Sequence, residues 1–159
     1  MKAMTRVSTP EPTDARILQI AGDHLRKFGA ARTTIVGIAA EAGMSHANVY
    51  RYFPSKDSLL DALTNHWLRP LEAGLHEIAD GPDPADDKLE RIVSAVYRAY
   101  RNKVETDPNL FALLREAVEQ GRATGRRHRA RIQSEVQRVI EEGMAGAVFR
   151  QGDQRRAIA

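Results

Sequence analysis

Residues 33–63 read TTIVGIAAEAGMSHANVYRYFPSKDSLLDAL, and their first part spells two short amphipathic helices separated by a tight turn. Thr34 can cap a helix that runs through Ile35, Ile38 and Ala39 and ends at Ala42-Gly43. Glycine at that position supplies the positive φ that closes a helix in a sharp turn. Ser45 offers a hydroxyl to cap the second helix, His46 to Phe53, which Pro54 halts. Met44, Val49 and Phe53 fall on the inward side, the last two one turn apart. His46, Ala47, Tyr50 and Arg51 are left largely outward.

Upstream, Ile17, Ala21, Leu25 and Phe28 recur at helical spacing from Thr13 and stop at Gly29. Residues 1–12 show no apolar period and read as a mobile arm. Downstream, Ser55 caps a helix running through Leu59, Leu60, Leu63 and Trp67 towards Ile78, with Pro70 expected to kink or split it. Gly81 to Asp87, GPDPADD, is the clearest break. Beyond it Leu89, Ile92, Val93, Val96, Tyr97, Tyr100 and Val104 form a broad apolar stripe at helical spacing. Asp107-Pro108 restarts a helix through Leu110, Phe111, Leu113, Leu114, Ala117 and Val118. Gly125 reads as a punctuation point before the last long helix, marked by Ile132, Val136, Val139, Ile140 and Met144.

No strand-like alternation of useful length and no repeat interrupts this pattern, so the fold class is all-α. A three-helix unit over residues 13–60, with its helix-turn-helix at 34–53, leads into longer helices over 61–159, and Ser55 to about Pro70 reads as the hinge. Composition agrees: 159 residues with 42% hydrophobic and 28% charged side chains suit a globular chain rather than a disordered one. The absence of cysteine excludes disulfides and thiolate metal sites. The opening MKAMTRVSTPEP lacks the apolar run of a signal peptide, and no 18 consecutive apolar residues occur, so a cytoplasmic protein is expected.

The net charge of +3 is unevenly placed. Residues 1–60 carry eight basic and five acidic side chains, and the remainder carries equal numbers of each. Excess positive charge on one small unit suits a polyanion, because each neutralised phosphate releases counterions. Helix, short turn and helix at 34–53 match the geometry that lays a second helix in the DNA major groove. The small side chain of Ala47 lets backbone approach bases there. His46 and Asn48 are suited to base edges, whereas Tyr50, Arg51, Lys56 and the capping hydroxyls of Thr34 and Ser45 are suited to phosphates.

The same segment closely resembles the DNA-binding domain of the TetR family of bacterial transcriptional repressors. Phe28-Gly29, Thr33-Thr34, Ile38-Ala39, Ala42-Gly43, Ser45, Val49-Tyr50, Tyr52-Phe53, Lys56 and Leu59-Leu60 carry the resemblance, in order and at the family's spacing. It covers residues 13–60 by motif and adds Thr33 to the DNA-facing candidates. It implies a homodimer on a palindromic double-stranded operator, released when a small-molecule effector enters the C-terminal domain. It also implies two last helices that form most of the dimer interface. The stretch EEGMAGAVFRQGDQRRAIA (141–159) reads as the junction into them, so the regulatory domain is expected to be incomplete.

Trp67, Val96, Tyr97, Tyr100, Phe111 and Leu114 are candidates for an effector pocket, with the tyrosine hydroxyls as its orienting polar groups. Arg126, Arg127, Arg129 and Arg131 with His128 read as a solvated basic helix face. His76 and Asp80 lie four apart but lack a third ligand, so no metal and no cofactor is expected. No P-loop, G-x-S-x-G or H-E-x-x-H appears, so no enzymatic activity is expected. The reading of a different class is a helical ligand-binding or protein-interaction module whose helix-turn-helix is vestigial.

Overall fold

The computed structural model describes residues 12–147, and all the regular structure in them is helical. The helices are α1 (Thr13–Phe28), α2 (Ile35–Ala42), α3 (His46–Tyr52), α4 (Lys56–Asp80), α5 (Ala85–Thr106), α6 (Pro108–Glu119) and α7 (Ala123–Ala145). The chain divides between Leu59 and Leu60 into two compact units. The expected arm, but for Pro12, and most of the expected junction helix lie outside the described residues.

In the first unit α1 packs on α2, and α2 on α3. The core face of α1 is Ile17, Ala21 and Leu25, all fully or almost fully buried. Phe28, expected to continue that face, is not buried: it is 52% exposed and meets the His24 ring edge-on at 5.7 Å. At about 100° per residue Phe28 falls between Ile17 and Ala21 in angle, so its exposure goes with its place as the last residue of the helix, not with a turn away from the core face. An ion pair from His24 to Glu41 links α1 to α2.

The second unit joins most of α4 to α5, α6 and α7. The helix α4 continues without a break through Pro70, an exposed position. Proline removes one backbone donor there, and on an exposed face water can satisfy the carbonyl left over. Leu75 and Ala79 of α4, Ala85 and Ile92 of α5 and Val139 of α7 form the buried core. Asp107 caps α6 as the sequence indicates, its carboxylate accepting from the Leu110 N–H at 3.3 Å with Pro108 at the first helical position. Val93, Tyr97 and Val104 are exposed, so the apolar stripe of α5 is wider than the face it buries.

The break expected at Gly125 falls earlier, at Gln120 to Arg122, where Gly121 takes φ 63°. Gly125 lies inside α7 and is buried against the backbone of α6. A Cβ there would stand 2.6 Å from the carbonyl carbon and oxygen of Ala117 and from the nitrogen of Val118. The glycine is a contact point between helices, not a stop.

Lys88 is buried in the same unit. Its ammonium donates to the Ala79 carbonyl at 2.9 Å and to both carboxylate oxygens of Glu142 at 3.0 and 2.9 Å, tying α4, α5 and α7 together. A buried cation is tolerable when its protons are satisfied in this way.

Candidate nucleic-acid interface and ligand cavity

The turn between α2 and α3 is built from backbone hydrogen bonds. Gly43 adopts φ 67° and ψ 32°, and the Met44 N–H turns back to the Ala39 carbonyl at 3.0 Å. Both helices begin on a hydroxyl. Thr34 Oγ1 accepts from the Gly37 N–H at 3.1 Å, and Ser45 Oγ from the Asn48 N–H at 3.2 Å. Each such cap contributes about 1 kcal/mol, which matters for helices too short to stand alone.

Val49, with no exposed surface, and the buried Phe53 just past the helix end hold α3 against its unit. Fixing Val49 inward turns His46, Ala47, Tyr50 and Arg51 outward, and all four are exposed. Asn48 is half-buried. The hydroxyl residues Thr34 and Ser45 are exposed at the two helix starts. Lys56, half-buried, opens α4 beside a reciprocal pair of caps. There the Ser58 N–H donates to Ser55 Oγ and the Ser55 N–H to Ser58 Oγ, each at 3.0 Å. This first turn presents a backbone end and a cation together, a combination that suits a phosphate.

Thr33 does not join this surface. It is fully buried and its hydroxyl donates to the Gly29 carbonyl at 2.8 Å, fastening the α1–α2 connection. Tyr52, which the sequence reading did not place among the contacts, is exposed at the end of α3. The signal for it was present: burying Phe53 turns the preceding ring away.

The second unit contains a cavity of about 570 Å³ between α5, α6 and α7. Four of the candidate pocket residues, Val96, Tyr100, Phe111 and Leu114, line it. Trp67 stands behind them, its ring 6.4 Å from both Tyr100 and Phe111, with the Lys103 ammonium 5.4 Å from its centre. Tyr97 is outside the cavity: it is 62% exposed and borders a separate shallow depression with Glu90 and Arg98. Tyr97 directly follows Val96, and on a helix that single step turns a side chain by about 100°.

His128 also departs from the sequence reading. It is 2% exposed, whereas the arginines around it, Arg126, Arg127, Arg129 and Arg131, are exposed. The imidazole Nε2 is 2.6 Å from the Tyr100 hydroxyl, and Nδ1 is 2.9 Å from Glu72 Oε1. Arg131 reaches the other oxygen of Glu72 at 3.2 Å. Burial, and then the nearby charge of Glu72, push the Tyr100 hydroxyl above the usual phenol range. Elsewhere, His76 pairs with Glu135 at 2.8 Å and Asp80 with Arg138 at 3.2 Å. Among the described residues no cluster of three or more His, Asp or Glu side chains could hold a metal ion, and no helix is long and apolar enough to cross a membrane.

Residues 17–63 match the family described as bacterial regulatory proteins, tetR family, and residues 85–159 match the tetracyclin repressor-like C-terminal domain. An HTH-type transcriptional repressor of Mycobacterium tuberculosis is 40% identical over 76 residues, covering 48% of this chain and 38% of the relative. An HTH-type transcriptional regulator of the same species is 33% identical over 104 residues, covering 65% and 44%. The matched stretches thus span less than half the length of these curated relatives. In fold, the chain is similar to a TetR/AcrR-family regulator from Thermobifida fusca, with a TM-score of 0.74 at 22% identity over 92% of this chain and 78% of that one. A TetR-family regulator from Thermus thermophilus gives a TM-score of 0.63 at 24% identity, over 87% and 76%.

Proposed function

The chain belongs to the TetR family of bacterial regulatory proteins, and from that premise we propose that it is a sequence-specific DNA-binding transcriptional repressor released by a small-molecule effector. The observation that carries this reading is α3. Its one fully buried side chain, Val49, sets the rotation that leaves His46, Ala47, Tyr50 and Arg51 outward on a helix capped at its start. In the bound state His46 and Asn48 read base edges. Tyr50, Arg51, Lys56 and the hydroxyls of Thr34 and Ser45 meet phosphates. A homodimer sets two such helices in successive major grooves, about 34 Å apart on one DNA face. The cavity of the second unit is the effector site, and a shift of a few ångströms in the spacing of the paired helices ends simultaneous docking. A vestigial helix-turn-helix is not favoured, since the turn and both caps are fully formed.

Selection from random duplexes, followed by fluorescence anisotropy on the enriched sequence, tests this reading. A palindromic site bound well above random DNA at moderate salt is the expected result. Equal affinity for selected and random duplexes would remove it. On the selected site His46→Ala costs about 1–2 kcal/mol and relaxes preference at one position in each half-site. Lys56→Ala instead weakens cognate and random DNA alike and lowers the salt slope by about one per subunit. Identical profiles for the two variants would refute this division of roles.

A further inference from the structure

The wall of the 570 Å³ cavity is apolar over most of its area, from Val96, Phe111, Leu114, Ile132 and Val136. Two inner lining residues are polar, Tyr100 and His128, and they are bonded to one another at 2.6 Å. Behind them the line of groups continues through His128 Nδ1 to Glu72 and from Glu72 to Arg131. Three helices therefore supply one hydrogen-bonded row, α5 through Tyr100, α7 through His128 and α4 through Glu72, and the row ends at the cavity wall.

The proton positions available to this row define what it can bind. With one proton on His128, held at Nδ1 towards Glu72, Nε2 accepts from the Tyr100 hydroxyl. The phenolic oxygen then has a lone pair left for a donor. With a second proton on Nε2, the imidazolium donates to the phenolic oxygen and the Tyr100 O–H is free to meet an acceptor. An alcohol satisfies the first arrangement and a ketone the second.

A carboxylate fits neither well. Burial, the larger cause of the raised Tyr100 hydroxyl, penalises any bare anion held beside it, and the nearby charge of Glu72 adds to that penalty. Arg115, Glu119, Arg129 and the uncharged Gln133 occupy exposed positions on the cavity lining, where solvent screens the three charges. Their charge does little for an anion held at Tyr100.

We propose that the cavity takes a largely apolar small molecule with one uncharged oxygen function, an alcohol or a ketone, hydrogen-bonded to the Tyr100 hydroxyl. The proposal rests on the effector-site reading of the second unit and gives it a ligand class. Trp67, the one tryptophan of the chain, stands against Tyr100 and Phe111 and reports occupancy by its fluorescence. The 159-residue chain is titrated without DNA, separately with 1-decanol, 2-decanone and decanoate, each below its aggregation limit.

Saturable Trp67 changes with decanol and decanone, at affinities at least tenfold above decanoate, are expected. Tyr100→Phe keeps the ring and removes the hydroxyl. It should weaken the alcohol and the ketone about tenfold and leave decanoate unchanged. Circular dichroism melts on the same samples establish that the variant is folded. Tightest binding by decanoate, or equal weakening of all three probes by Tyr100→Phe, overturns the ligand class and leaves the cavity as an effector site. No Trp67 response to any probe overturns both. Neither outcome touches DNA binding, which is measured without probes.

Discussion

Gly125→Ala lowers the stability of the second unit by about 1–3 kcal/mol, although the same exchange in an open helix interior would raise it by about 1 kcal/mol. The sign is set by the position of the missing methyl. It would stand 2.6 Å from three backbone atoms of α6, at Ala117 and Val118, and a backbone cannot step aside as a flexible side chain can. Two helices must part by a substantial fraction of an ångström, opening the apolar contacts on either side. Gly74 of α4 supplies the control, because nothing lies within 4 Å of the methyl it would gain. Gly74→Ala should therefore stabilise by about 0.8–1 kcal/mol, the ordinary helix-propensity gain. Urea unfolding followed at Trp67 measures both. If the two variants shift the midpoint in the same direction, the close approach of α6 and α7 is wrong.

Glu142→Ala is expected to cost about 2–3 kcal/mol, more than Lys88→Met at the other end of the same pair. Removing the carboxylate leaves the buried Lys88 ammonium with the Ala79 carbonyl alone. Breaking a fully buried pair costs about 3–5 kcal/mol, and half-exposure of Glu142 places this case below that range, since water can enter where the carboxylate was. Lys88→Met takes the charge away and keeps an apolar stem of similar length. Its cost is then the unsatisfied Ala79 carbonyl, about 1–2 kcal/mol. Equilibrium unfolding of the two single variants and the double variant gives the coupling. A Glu142→Ala loss of less than half a kcal/mol would mean that the ammonium escapes to solvent, against the buried position found for it.

Several helix limits were legible because local chemistry announces them. Thr34, Ser45 and Asp107 are hydroxyl or carboxylate caps, and Gly43 closes α2. The DNA-facing candidates on α3 followed from one inference, that Val49 points inward, while the burial of Phe53 just past the helix end turns Tyr52 outward. What local chemistry leaves open is the role of residues with two uses. Glycine permits a turn and also permits close contact, and at Gly125 contact was the reason. Proline ends many helices, yet α4 passes through Pro70. Thr33 and Thr34 are identical letters, one buried on the Gly29 carbonyl and the other a cap. His128 was hidden by its arginine neighbours, although Thr124, His128 and Ile132 follow one another at four-residue steps along one side of α7. Glu72 and Tyr100, which complete its row, are 56 and 28 residues away, and no local pattern connects them.

The construction of α3 separates two burdens that most surfaces combine. Its fold rests on Val49, on the Ser45 hydroxyl and on Phe53 just beyond its end. The exposed side chain of His46, proposed to read DNA bases, stands apart from that support, whereas Asn48 contributes its backbone N–H to the Ser45 cap. Mutational drift at positions 46, 47, 50 and 51 is therefore nearly free of a folding penalty, each exchange falling within about half a kcal/mol. Lineages carrying this helix can exchange one target sequence for another through folded intermediates, and a designer can randomise those four positions without first stabilising the scaffold.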